Sequence, residues 1–204
     1  MSFTPAIAGH GTLADALPGR SSLARSTALV TAGVGLMAVL AQVSIPMWPV
    51  PITGQTLGVV LVAASLGLRR GTVALAAYTL VGLAGLPVFS DFTGGPAAVM
   101  KPSFGFILGF IAAAAVIGAF ADRGWDRSVW RASIAFTLGS VIPFLFGLPY
   151  LALMLGVYDM ANDPATVISL GLLPFIPGGI VKAAIAAVLL PLTWRAVKRI
   201  DRSA

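Results

Sequence analysis

The chain of 204 residues has no cysteine, no glutamate and a single histidine, His10. Without cysteine there are no disulfides, no thiolate chemistry and no Cys-ligated metal. Without glutamate, and with histidine only near the N-terminus, the seven aspartates are the remaining acids, and each falls in a tail or loop. No carboxylate stands inside a long apolar run, so nothing is placed to relay protons or bind sodium there. An acid/base pair for hydrolysis is also missing, which predicts no enzyme, no catalytic residues and no metal site. There is no Gly-x-x-x-x-Gly-Lys-Ser/Thr, so ATP cannot be held by a P-loop, and no motif calls for a cofactor.

Charge is scarce as well. Asp, Lys and Arg make up 10% of the chain, against about 25% in soluble domains. Hydrophobic residues make up 58%, with a mean hydropathy of +0.96. This is the composition of an integral membrane protein with one domain. The net charge of +6 invites a nucleic-acid reading, but the placement of the charges rejects it. Arg20, Arg25, Arg69, Arg70, Arg123, Arg127, Arg131, Arg195, Lys198, Arg199 and Arg202 all fall at one set of span ends. That is the positive-inside pattern, with anionic membrane lipid as the partner of the basic face.

Charge-free windows predict an all-α fold of six transmembrane helices, near 26–45, 55–68, 72–88, 103–121, 129–156 and 174–194. Pro46 to Gly54 separates the first two, because its prolines remove donors and break helices. Arg69-Arg70 is predicted as a tight turn, and Pro143 and Pro149 as kinks in the fifth span. Both termini then face the cytoplasm, and the protein is expected to be a multi-pass membrane protein. The domain division is a flexible tail over 1–24, a membrane domain over 25–197 and a basic tail over 198–204. The run from Ser26 is long for a signal peptide and reads as a retained span, with cleavage as the alternative.

The remaining two cations are Lys101 and Lys182. Lys182 is the only charge between Asp163 and Arg195. It lies thirteen residues before Arg195, roughly 20 Å along a helix in a hydrocarbon core about 30 Å thick. A lone ammonium at that depth is costly and marks a functional site by default. The alternative is that its long stem snorkels to the outer interface. Pro177-Gly178-Gly179 reads as a helix start, placing Lys182 about one turn inside a helix N-terminus that favours an anion.

Other polar groups gather at the same span ends: Thr53, Gln55 and Thr56; Ser90, Asp91 and Thr93; Ser103; Tyr150. Trp48, Phe89 and Phe104 supply apolar walls, and a few polar groups in an aromatic cavity is the usual build of a small-ligand site. Each has a plainer reading beside it. Trp48 and Tyr150 suit an interfacial aromatic belt. Ser90, Asp91 and Thr93 suit loop and cap chemistry, and Gly94-Gly95-Pro96 is a turn signal. In the first span Ala28, Thr31, Ala32, Gly35 and Ala38 form a small-residue face for a partner helix or for packing within the bundle.

Four stretches together resemble a known family. They are Ser44-Ile-Pro-Met-Trp-Pro-Val-Pro-Ile-Thr-Gly-Gln-Thr-Leu57, Gly82-Leu-Ala-Gly-Leu-Pro-Val-Phe89 with Gly94-Gly95-Pro96, Pro102-Ser-Phe-Gly-Phe-Ile-Leu-Gly-Phe110, and Pro174-Phe-Ile-Pro-Gly-Gly-Ile-Val-Lys-Ala183. In this order they resemble the BioY proteins, the biotin-binding S-components of energy-coupling factor (ECF) vitamin transporters. The resemblance covers about residues 26–195. It implies a six-helix protein that captures biotin from outside, working with a transmembrane coupling protein and a pair of cytoplasmic ATPases. It implies a substrate site drawn from Trp48, Thr53, Gln55, Phe89, Ser90, Asp91, Gly95, Ser103, Tyr150 and Lys182, and a partner face at Ala28, Ala32 and Gly35. Two departures stand out. The family's last motif usually carries an acid where this chain has Gly179, leaving Asp91 as a candidate replacement. The fourth-span motif often reads Pro-Thr-Gly, and here Ser103 keeps the hydroxyl. The rival functions are an S-component for another vitamin, or a membrane scaffold with no need of Lys182.

Overall fold

A computed structural model describes residues 11–16 and 22–203, with side chains through Arg195. The helices are α1 (Leu13–Ala16), α2 (Leu23–Gln42), α3 (Gln55–Leu83), α4 (Phe104–Asp122), α5 (Val129–Val157), α6 (Pro164–Gly171) and α7 (Phe175–Ser203). Between α2 and α3 lies an antiparallel ribbon of β1 (Ser44–Ile45) and β2 (Ile52–Thr53). Short 3-10 turns sit at Ser90–Phe92, Pro96–Met100 and Trp125–Arg127. Among the described residues, five helices are long and apolar enough to cross a membrane. The architecture is the expected all-α membrane type.

One of those five is not a single rod. Within α3, Gly67 has φ +79°, outside helical space. A β-carbon on Gly71 would lie 3.0 Å from Cα of Ala63, and Gln55 Nε2 donates to the Tyr78 hydroxyl at 2.9 Å. A straight helix would hold residues 55 and 78 roughly 35 Å apart. The chain therefore reverses at Gly67 into two antiparallel arms. The sequence pattern placed this turn at Arg69-Arg70. It falls earlier because the reversal needs a left-handed residue with no side chain. A β-carbon at Gly67 would also collide with Asp122 Oδ1.

The arms of α3 pack on α4, and α4 on α5. Close approach is built into α4, where a β-carbon on Gly118 would lie 2.6 Å from the backbone at Gly67 and Leu68. Small residues allow such contact where apolar lipid offers no net drive to associate. The prolines of α5, expected to kink it, lie within one continuous helix. α6 falls in a stretch expected to be loop. Asp163 caps it, accepting from the amides of Ala165 at 3.0 Å and Thr166 at 3.1 Å, with Pro164 at the first helical position. An Asp-Pro start of this kind is readable from sequence.

The basic end is knitted together by residues 11–16. Arg127 donates to the Gly11 carbonyl at 2.7 Å, Arg25 to the Ala14 carbonyl at 2.6 Å, and Arg70 pairs with Asp15 at 2.7 Å. This part of the expected flexible tail is docked, because it supplies acceptors to three arginines from three elements. The rest of that tail through Ser21 lies outside the described residues. Beneath it, buried Asp126 accepts from Trp194 Nε1, and burial pushes its carboxyl above the usual range. The helix α7 continues to Ser203, past the span end expected near 194.

Candidate functional site

At the end remote from these arginines, α3, α4, α5 and α7 diverge around a cleft. Its polar wall comes from the start of α3. The ribbon ends at Thr53, and Gly54 turns the chain so that Gln55 and Thr56 begin the helix facing inward. Lys182 reaches across from α7, and its Nζ donates to the Thr53 carbonyl and to Thr56 Oγ1. The ammonium therefore turns into the cleft rather than along the outside of α7.

Lys182 is deeper in its helix than the sequence suggested. The helix α7 starts at Phe175, ahead of Pro177, which is harmless in a first turn lacking donor partners. Seven residues separate Phe175 from Lys182, about 10 Å along the axis. The helix start is thus nearly two turns away, and the anion-binding potential rests on the lysine itself.

Several polar groups are already committed. Thr53 Oγ1 donates to Gln55 Oε1 at 2.9 Å and accepts the Gln55 amide at 3.2 Å. Gln55 Nε2 is bonded to buried Tyr78, whose hydroxyl donates to the Val88 carbonyl at 2.9 Å. One Nε2 hydrogen of Gln55 is left for a ligand. By contrast the hydroxyls of Ser90, Ser103 and Ser140 line the cleft with no hydrogen bond to the described residues. These three are the ready donors and acceptors, and Ser140 was missed by sequence reasoning.

The apolar wall also differs from expectation. Phe106, Phe110, Phe144 and Phe175 form it. Phe106 meets Phe144 edge-on at 5.6 Å and stacks on Phe175 at 6.2 Å. Ser103, Phe106, Ile107 and Phe110 repeat at i, i+3, i+4 and i+7, one helix face, and that was the signal available in the sequence. Phe89 is instead a core residue, 2% exposed, packed edge-on against Tyr78 at 5.4 Å. Phe104 faces Tyr150 at 6.1 Å. Tyr150 donates to the Val99 carbonyl, tying α5 to the loop before α4. Gly95, at φ +91°, donates to the Gly82 carbonyl at 2.7 Å. Phe89, Tyr150 and Gly95 stand outside the cleft lining and shape its surroundings, because their bonds and rings face the neighbouring backbone.

Above the cleft lies a vestibule that shares Pro51, Ser90 and Ser103 with it and adds Trp48, Asp91, Lys101 and Tyr158. Trp48 and Asp91 thus sit at the mouth. Asp91 accepts from Ser44 Oγ at 3.2 Å. Gly179 lines the cleft, and a β-carbon there would have no neighbour within 4 Å. The place where the resemblance expects an acid is open space. On the periphery, Ala28, Ala32 and Gly35 are all on the outer part of α2, and only 11% of that helix's apolar stretch is buried. Ala32 borders an apolar groove with Leu29, Leu36 and Leu189.

A family model described as the BioY family matches residues 12–199. A protein of Thermotoga maritima named biotin transporter BioY is 38% identical over 166 residues, covering 79% of this chain and 92% of that protein. Another of the same name from Rhizobium etli is 36% identical over 170 residues, covering 80% and 88%. A crystal structure of the S-component for biotin from an ECF-type ABC transporter aligns with TM-score 0.71 and 25% identity. The alignment covers 86% of this chain and 95% of that one.

Proposed function

Since this chain belongs to the BioY family, we propose that it is a membrane-embedded biotin-binding protein, an S-component that mediates biotin uptake with an ECF energising module. The observation that carries the site assignment is Lys182, a solitary ammonium turned into an aromatic-walled cleft. Biotin is a bicyclic urea with an aliphatic chain and a carboxylate. The carboxylate pairs with Lys182, the rings pack on Phe106, Phe144 and Phe175, and Ser90, Ser103 and Ser140 meet the urea N–H and C=O groups. Trp48 and Asp91 act at the mouth, and Thr53 and Gln55 hold the lysine side of the pocket in shape. Native mass spectrometry of the purified protein tests this. Biotin should co-purify or bind when added, with no ATPase activity from the protein alone. A different vitamin in the cleft would reassign the substrate, and no bound vitamin under any loading would reject the reading.

The two arms of α3 make six membrane crossings from five apolar helices. With the arginine end in the cytoplasm, both termini face inward and the cleft opens outward. The chain lacks native cysteine, so single cysteines report sidedness cleanly. An impermeant thiol reagent should label Ala97→Cys on intact cells and Ser128→Cys only after lysis. The reverse pattern would overturn the orientation. The coupling protein and its pair of cytoplasmic ATPases are proposed to engage α2 through Ala28, Ala32 and Gly35. The exposure of α2 and the groove beside Ala32 support that choice over packing within the bundle.

A further inference from the structure

The loop 89–93 is held in an unusual shape at the cleft mouth. Asp91 and Phe92 both have positive φ, 58° and 51°, and left-handed backbone is disfavoured for residues carrying a β-carbon. Two successive residues of this kind persist only where surrounding bonds over-determine them. The loop closes on itself through Phe89 N–H to the Thr93 carbonyl at 2.9 Å. Thr93 adds bonds from its amide and its hydroxyl to the Ser90 carbonyl, Lys101 Nζ donates to Thr93 Oγ1, and Ser44 Oγ donates to Asp91. The bonds that join Phe89 to Phe92 across the turn come from one side chain at the end of α2. Gln42 Nε2 donates to the Phe89 carbonyl at 3.0 Å and to the Ala38 carbonyl at 3.1 Å, while its Oε1 accepts from the Phe92 amide at 3.0 Å. Every strong hydrogen-bonding direction but one oxygen lone pair is used. The flipped amide would face N–H against N–H at Phe92 and oxygen against oxygen at Phe89.

We propose that Gln42 is a positioning residue for the ligand site. Its amide clamps both ends of the left-handed turn, and the turn presents Ser90 to the cleft and Asp91 to the vestibule. The side chain of Gln42 does not line either space, so it acts through the loop. It also fastens the mouth to α2. The ligand part of this proposal rests on the biotin-binding reading above.

The test uses the full chain in detergent or nanodiscs, with three linked measurements. Gln42→Leu keeps side-chain bulk and removes both clamp bonds. Amide hydrogen exchange at Phe92 should accelerate in this variant, while the Gly95 amide, bonded to the Gly82 carbonyl, keeps its protection. Biotin affinity should fall by about five- to thirty-fold, the equivalent of one or two hydrogen bonds. Gln42→Glu should show a partial effect. It retains the acceptor for Phe92 but sets a carboxylate oxygen against the Phe89 carbonyl. A double-mutant cycle then separates positioning from general stability. In a Ser90→Ala, Asp91→Asn background, Gln42→Leu should weaken biotin by less than about twofold, because the groups it positions are gone. Additive losses across that cycle, or unchanged exchange at Phe92, would overturn the proposal. Wild-type protein that binds no biotin would overturn the ligand reading alone, and the exchange measurement would still decide whether Gln42 holds the turn.

Discussion

Lys182→Ala should bind biotin roughly 30- to several-thousand-fold more weakly while remaining folded in the membrane. Truncating one partner of a desolvated charge pair costs about 2–5 kcal/mol, at about 1.4 kcal/mol per factor of ten. The fold should survive because the groups that lose the ammonium, the Thr53 carbonyl and Thr56 Oγ1, face a cleft that water can enter. Thr56 Oγ1 retains its own hydrogen to donate. A merely packing role for the lysine stem would cost little affinity and would leave ligand preference unchanged. Titration with biotin and with biotin carboxamide separates the two. Wild type should favour the carboxylate strongly, and Lys182→Ala should lose that preference along with affinity. Lys182→Arg should recover only part, since a planar guanidinium cannot repeat the compact contact with Thr53 and Thr56. Equal biotin affinity in wild type and Lys182→Ala would remove the lysine from the site. Loss of affinity with carboxylate preference intact would turn the ligand around, placing its urea at Lys182 and its carboxylate at the vestibule.

The parts of this molecule that were legible in sequence are those set by hydropathy and charge. The apolar windows located every long helix to within a few residues at most ends, because a bilayer demands continuous apolar length. The lone lysine announced the cleft because an ammonium inside an apolar run is too costly to persist without a polar cavity to receive it. What was hidden depends on side-chain direction and on backbone that only tertiary contact selects. Phe89 and Phe106 are equally aromatic in sequence. One turns into the core against Tyr78 and the other into the cleft, and loop 89–93 carries no periodicity to tell which. Gln55 resembled a ligand donor, yet most of its amide is spent on Thr53 and Tyr78. The docking of residues 11–16 was invisible because it rests largely on backbone carbonyls, which every sequence has. Gly67 was passed over beside the more conspicuous Arg69-Arg70, although a glycine is what a left-handed reversal requires.

Ala32→Trp and Gly35→Trp should abolish most of the biotin uptake gained by co-expressing a coupling protein and its ATPases, with biotin binding by the isolated protein unchanged. Both positions lie on the open side of α2, and a β-carbon at Gly35 has no neighbour within 4 Å among the described residues, so an indole there starts from open space. It does meet any helix laid against α2. Small residues at this spacing permit close approach of a second helix, and an indole holds that helix off along its length. Loss of a central interface contact is worth about 2 kcal/mol or more, so the assembled fraction should fall roughly 30-fold under limiting partner. The separation of binding from uptake is the informative readout, because a misfolded variant would lose both. If Ala32→Trp and Gly35→Trp support full uptake with partners present, the coupling protein engages another surface. The face of α2 then meets lipid alone, and the groove beside Ala32 is left as packing between α2, α3 and α7.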